Sequence, residues 1–193
     1  MAEEVNIGAI REYSIGYTKY YYEVYPESIS EFEKDVQVRE QLWKTLVGDI
    51  VLDVGAGFGS YTLTALANAA GFVFAFENDI NKLVIIRRNL QNNRALMATE
   101  RATICKWKLD DSDKTVDRFL SELSYPVTRL DWIKVDMGSV PDTRVVMWGI
   151  KETIKKFRPY ILIADPEPPQ YSFLEKYNQI KIVDGHSLLA PTR

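Results

Sequence analysis

The chain has 193 residues, 46% of them hydrophobic and 26% charged, with a formal net charge of −3. That allows one substantial core and excludes nucleic-acid binding by bulk electrostatics alone. Cys105, the single cysteine, excludes a disulfide framework, and no apolar run is long enough to span a bilayer or serve as an N-terminal targeting segment.

A reducing, cytoplasmic setting is therefore expected. Charge is uneven along the chain: residues 1–49 hold 5 Lys+Arg against 10 Asp+Glu, which leaves +2 for the rest. Tyr13, Tyr17, Tyr20, Tyr21, Tyr22 and Tyr25 crowd the same region, as a mobile lid over a ligand or as core packing. A helix follows in ESISEFEKDVQVREQLWKTLV, capped by Ser28 or Ser30, with Phe32, Val36, Trp43 and Leu46 among its apolar positions. Residues 1–48 thus read as a helical, tyrosine-rich extension packed on a domain spanning 49–193.

From residue 50, apolar runs alternate with helical patterns. IVLDVG (50–55) is a buried strand, SYTLTALANAA a helix with Gly71 as its C-cap, and FVFAFE (72–77) a second strand. Asp79 is placed to N-cap the helix NKLVIIRRNLQNN. ATICKWKL (102–109) is a third strand, TVDRFLSEL a short helix and LDWIKVDM (130–137) a fourth strand. Pro141 suits the first turn of a helix running through Phe157, and PYILIAD (159–165) is a fifth strand. QIKIVDG and HSLLAPT form a hairpin around Asp184-Gly185, so the last strand should run against the others. The expected fold is α/β, a mostly parallel sheet with helices on both faces.

VLDVGAGFGSYT carries the strongest motif. Gly55, Gly57 and Gly59 follow a strand and open a helix, where bare backbone can approach a ligand. A dinucleotide fingerprint would need glycine at Ser60, and Asp53 precedes the turn, where a carboxylate repels pyrophosphate but bonds an ammonium or ordered water. Glu77 ends the second strand about twenty residues on, where an acid takes both ribose hydroxyls. An adenosine ligand with a cationic tail, S-adenosylmethionine, satisfies both acids. A nicotinamide cofactor is the alternative and requires Ser60 to replace the missing glycine. Asp110 and Asp111 end the third strand, where Asp110 can accept from an adenine amino group or serve only as a loop and helix cap.

These residues resemble the FkbM-type family of class I S-adenosylmethionine-dependent methyltransferases. VLDVGAGFGSYTLT is similar to the family's opening loop, FAFENDINKLVIIRRNLQNN to its second strand and helix. KTVDRFLSEL, LDWIKVDM and IKETIKKFRPYILIAD follow in the family's order. The resemblance covers about residues 50–165. It implies a Rossmann-like, seven-stranded sheet with a reversed last strand and methyl transfer, commonly to a hydroxyl. It also implies a cofactor site drawn from Asp53, Gly55, Ala56, Gly57, Phe58, Tyr61, Thr62, Glu77, Asn78, Asp110, Asp136 and Met137, with Asp136 beside the reacting centre.

The family usually has Asp-x-Glu-Gly where this chain has Asp136-Met137-Gly138-Ser139, so the glutamate is absent and substrate choice is not inherited. Asp136 can take a substrate proton, hold the cofactor's ammonium, or bond local backbone amides. O-methylation is the main expectation, with N-methylation or a cofactor-binding regulatory protein as alternatives. The methyl acceptor, small molecule or macromolecule, is left open. No metal site is expected, since no histidine or tight carboxylate spacing joins Asp110, Asp111 and Asp136. His186, in the terminal hairpin turn, reads as a surface residue, and DPEPPQY (165–171) as a stiff turn lining the pocket.

Overall fold

The computed structural model describes residues 9–15, 18–24, 29–95, 98–106, 114–168 and 171–192. Parallel strands arise where the apolar runs predict them: β3 (Ile50–Val54), β4 (Phe72–Glu77), β5 (Ala102–Lys106), β6 (Trp132–Val135) and β7 (Tyr160–Ile163). With the terminal hairpin, β8 (Tyr177–Val183) and β9 (His186–Pro191), they form one seven-stranded sheet in the order β5-β4-β3-β6-β7-β9-β8. Only β9 runs against its neighbours, pairing antiparallel with both β7 and β8. This is the Rossmann-like, mostly parallel architecture expected from the sequence.

Alternation along the strands sorts the core into two layers. Val51, Val73, Trp132 and Leu162 point to one face, where they meet Val38, Leu42, Trp43, Tyr61 and Leu63. The last five belong to or border α1 (Ile29–Leu42) and α2 (Ser60–Ala67). Leu52, Val54, Ile133, Val135, Ile161 and Ile163 point to the other face. There they pack on Val116, Val146, Met147 and Ile154 of α4 (Val116–Glu122), α5 (Val140–Trp148) and α6 (Lys151–Phe157). Between β4 and β5 runs α3 (Ile80–Asn92), whose N-cap Asp79 accepts from the amides of Asn81 and Lys82 as its position predicts.

Four expectations are corrected. The tyrosine-rich extension is not helical over residues 9–24. It is an antiparallel hairpin, β1 (Ala9–Ile15) with β2 (Thr18–Val24), because aromatic and β-branched residues favour extended chain. Tyr17 and Tyr25 lie outside the described residues, as does Ser28, and Ser30 sits inside α1. Leu46 is not a core position: α1 stops at Leu42 and Leu46 is 68% exposed. Gly71 is not the α2 C-cap; Asn68 is, and Ala69 takes the left-handed conformation. Gly71 is required instead because a Cβ there would lie 2.7 Å from the Gly48 carbonyl oxygen. The helix expected through Phe157 is broken at Gly149–Ile150, since the Asp117 carboxylate accepts from the Glu152 and Thr153 amides (2.9 and 2.8 Å) and starts a new helix.

Cys105 is buried within β5, and desolvation pushes its thiol up to about 11. Iodoacetamide at mildly alkaline pH is expected to leave the native thiol largely unmodified and to alkylate it readily in denaturant. Equal rates in the two conditions, followed by mass spectrometry, would contradict that burial.

Candidate active site

The order β4-β3-β6 creates a switch point, because the chain leaves β3 toward β4 on one side and returns to β6 on the other. An open cleft lies there, bordered by Gly55, Ala56, Gly57, Phe58, Glu77, Asp136, Met137 and Gly138 together with Asp35, Lys82 and Lys134. Seven of the site residues expected from sequence, Gly55, Ala56, Gly57, Phe58, Glu77, Asp136 and Met137, thus meet in one place.

The loop is held by its own amides. The Gly55 and Ala56 N–H groups donate to the Phe76 carbonyl (3.0 and 2.9 Å), which fastens the turn to the end of β4. The Gly57 N–H donates to Glu77 Oε2 at 2.8 Å, while the Asn78 and Asp79 amides donate to Oε1. Glu77 is therefore anchored at the cleft wall with one lone pair left on Oε2 for a ligand hydroxyl. Asn78 contributes its backbone amide to that anchor and does not itself border the cleft. A Cβ on Gly57 or Gly138 would meet nothing within 4 Å, so bare backbone faces open space at both positions.

Asp53 departs from its expected role as a ligand contact. It is fully buried, opposite Lys134 in the β3–β6 register, and the ammonium it meets is Lys134 at 3.5 Å. Its other oxygen accepts from the Thr62 hydroxyl at 2.7 Å. Asp53, Tyr61 and Thr62 thus lie beneath the cleft rather than along it. Lys134 also donates to the Gly55 carbonyl and lies 5.0 Å from the Tyr61 ring centroid. Burial pushes its pKa down, but Asp53, Asp136 and Asp35 more than offset this and hold it raised.

Asp136 ends β6 at the cleft. Its Oδ1 accepts from the Gly138 amide at 2.9 Å, which Gly138 can offer because it adopts φ +78. Ser139 then N-caps α5, accepting from the Asp142 amide. The Gly-Ser pair is thereby explained by local backbone demands. Burial alone would raise the Asp136 pKa, but His186, Lys134 and the Gly138 amide hold its carboxyl well below the usual carboxylate range.

Three site residues escaped the sequence. Lys134 was visible only as a lone cation in an apolar strand. Asp35 comes from α1. His186 is not a surface residue: its side chain is 13% exposed, with Nε2 3.5 Å from Asp136 Oδ2. Desolvation disfavours its imidazolium, but Asp136 and the Asp184 carbonyl outweigh that and raise its pKa. Asp110 and Asp111 lie outside the described residues. The Asp165 turn does not border this cleft either; Asp165 is buried and takes Arg144 through both oxygens (2.6 and 3.1 Å).

No protein-family model matches the sequence, and no curated protein is similar to it. Solved structures share its fold. A methyltransferase FkbM from Methylobacillus flagellatus is 16% identical, with TM-score 0.60 over 78% of this chain and 45% of that one. The T. thermophilus 16S rRNA N2 methyltransferase, solved in complex with AdoMet and guanosine, is 20% identical, with TM-score 0.57 over 97% and 51%. This chain thus spans about half the length of those two proteins. The fold is that of class I methyltransferases. At these identities FkbM is one neighbour among several.

Proposed function

We propose that this chain is an S-adenosylmethionine-dependent methyltransferase acting on a hydroxyl. The observation that carries the reading is the joined pair at the switch point: the glycine loop after β3 is hydrogen-bonded through Gly57 to Glu77 after β4, with Asp136 on the opposite wall. The residues fit the cofactor. Bare backbone at Gly57 and Gly138 leaves room for it, Glu77 retains one acceptor site on Oε2 for a ribose hydroxyl, and the acidic wall of Asp35 and Asp136 complements a positive charge. When bound, the cofactor supplies a methyl group activated by a sulfonium.

The protein's own contribution is alignment and proton handling. Asp136 remains ionised across the physiological range, so it can attract a cation or accept a hydrogen bond from an acceptor hydroxyl. A hydroxyl must lose its proton to react, and an anionic wall serves that need better than it serves a neutral amine. Titration with S-adenosylhomocysteine in a calorimeter tests the reading. Micromolar binding is expected, weakened by about ten- to a hundred-fold in Glu77→Ala, since a hydrogen bond to a charged acceptor is lost. No heat from folded protein at high micromolar ligand would overturn it.

A further inference from the structure

Asp35 on α1, Asp136 after β6 and His186 at the start of β9 come from separate elements, yet their ligand atoms lie within 4.8 Å of one another. All three side chains are partly buried, and Asp35 and Asp136 border the cleft.

The histidine defines what the cluster lacks. Its Nδ1 is 3.0 Å from the Asp184 carbonyl oxygen, which can only accept, so Nδ1 carries a proton. In neutral imidazole Nε2 is then a bare lone pair, and it faces a carboxylate oxygen of Asp136 at 3.5 Å. The positive charge between them is either a proton on Nε2, shared with the Asp136 carboxylate, or a bound cation. A charge-assisted hydrogen bond would draw the atoms to about 2.7–2.9 Å. Two ligands on a common ion, each at about 2.1 Å, are instead separated by roughly 3.0–3.4 Å for octahedral or tetrahedral angles. Fixing one ring nitrogen on a backbone carbonyl so that the other is offered outward is also how metal-bound imidazoles are held.

Lys82 and Lys134 border the cleft beside Asp35 and Asp136, and Lys134 is engaged with Asp53 and the Gly55 carbonyl. Behind the cluster, the buried Tyr61 hydroxyl has no hydrogen-bond partner among the described residues and lies within electrostatic reach of Asp35 and Asp136.

We infer that Asp35, Asp136 and His186 form a site for a divalent transition-metal ion at the wall of the cleft. One nitrogen and two carboxylate oxygens suit Mn²⁺ or Zn²⁺ better than Ca²⁺. Water or a hydroxyl completes the coordination, and Asp136 then acts as an ion ligand. The site stands on side-chain geometry alone; only its service to a methyl acceptor rests on the function proposed above.

The full chain, stripped with EDTA and labelled with [¹⁵N]histidine, provides the test, because its single histidine gives one unambiguous imidazole signal. Zn²⁺ is expected to shift the Nε2 resonance and Mn²⁺ to broaden it. Free Mn²⁺, followed by electron paramagnetic resonance, is expected to fall by one equivalent. Asp35→Asn and His186→Gln should each weaken Mn²⁺ binding about ten-fold or more, and Glu152→Gln, a surface acid elsewhere, should not. An imidazole signal unmoved by Zn²⁺ and Mn²⁺ at millimolar concentration overturns the inference, even if the variants fail to fold. So does Mn²⁺ binding that survives both ligand substitutions. S-adenosylhomocysteine titrated in EDTA separates the two readings: cofactor binding without an ion site retires this inference alone, and an ion site without cofactor binding retires only the proposed function.

Discussion

Gly55→Ala is expected to lower the melting temperature by roughly 10 °C or more and to abolish S-adenosylhomocysteine binding. The residue adopts φ +72, and a Cβ added there would lie 1.8 Å from the Asp136 carbonyl oxygen and 2.8 Å from its carbonyl carbon. The obstacle is backbone at the end of a central strand, so no rotamer change relieves it. Left-handed φ alone costs alanine about 1–2 kcal/mol, and displacing the β6 terminus adds several more. In a domain of this size about 1 kcal/mol moves the midpoint by roughly 2–4 °C. Gly57→Ala is the informative contrast. It shares the positive φ, +58, but its methyl would enter open space, so it should cost only a few degrees while still weakening ligand binding by filling the cleft. Calorimetric melting of the two variants, with ligand titration on whatever remains folded, checks the pair. A Gly55→Ala protein melting with wild type would mean that β3 and β6 do not approach as described.

The sheet was legible because its strands are apolar runs bounded by turn chemistry, and burial on both faces demands that pattern. The glycine loop was legible for a related reason: bare backbone at a strand–helix turn is needed only where something must come close. Ion pairs and clusters carry no such periodicity. Asp53 stood out as the acid before the glycines, yet its buried partner, Lys134, becomes evident only when β3 and β6 are set in register. Asp35 and His186 reach Asp136 from α1 and the terminal hairpin, and local spacing cannot announce a meeting made by the winding of the whole chain. The N-terminal hairpin was missed for a different reason. AIREYSI and TKYYYEV are separated by two residues, one of them Gly16, a hairpin signal that the tyrosine count obscured.

Lys134→Met is expected to destabilise the protein by about 3–5 kcal/mol. The reason is the asymmetry between removing one buried charge and removing both. The Lys134 and Asp53 side chains are 4% and 0% exposed and lie 3.5 Å apart on neighbouring strands. Methionine fills most of the lysine's volume, so the loss is electrostatic: Asp53 keeps the Thr62 hydroxyl but loses the only cation against it among the described residues. Asp53→Asn should also destabilise, but by less, because the Gly55 carbonyl and the charges of Asp136 and Asp35 still favour the buried ammonium. The double variant Asp53→Asn/Lys134→Met should recover part of the loss, with a coupling of about 2 kcal/mol or more. Urea unfolding of the four proteins measures this directly, and strictly additive losses would show that the pair does not act as one unit. The consequence extends to the cleft. Lys134 also pins the Gly55 carbonyl, so the loop amide that anchors Glu77 is positioned by a buried ion pair beneath it. Ligand affinity should therefore fall in Lys134→Met even at temperatures where the protein is fully folded, and the double variant should not restore it.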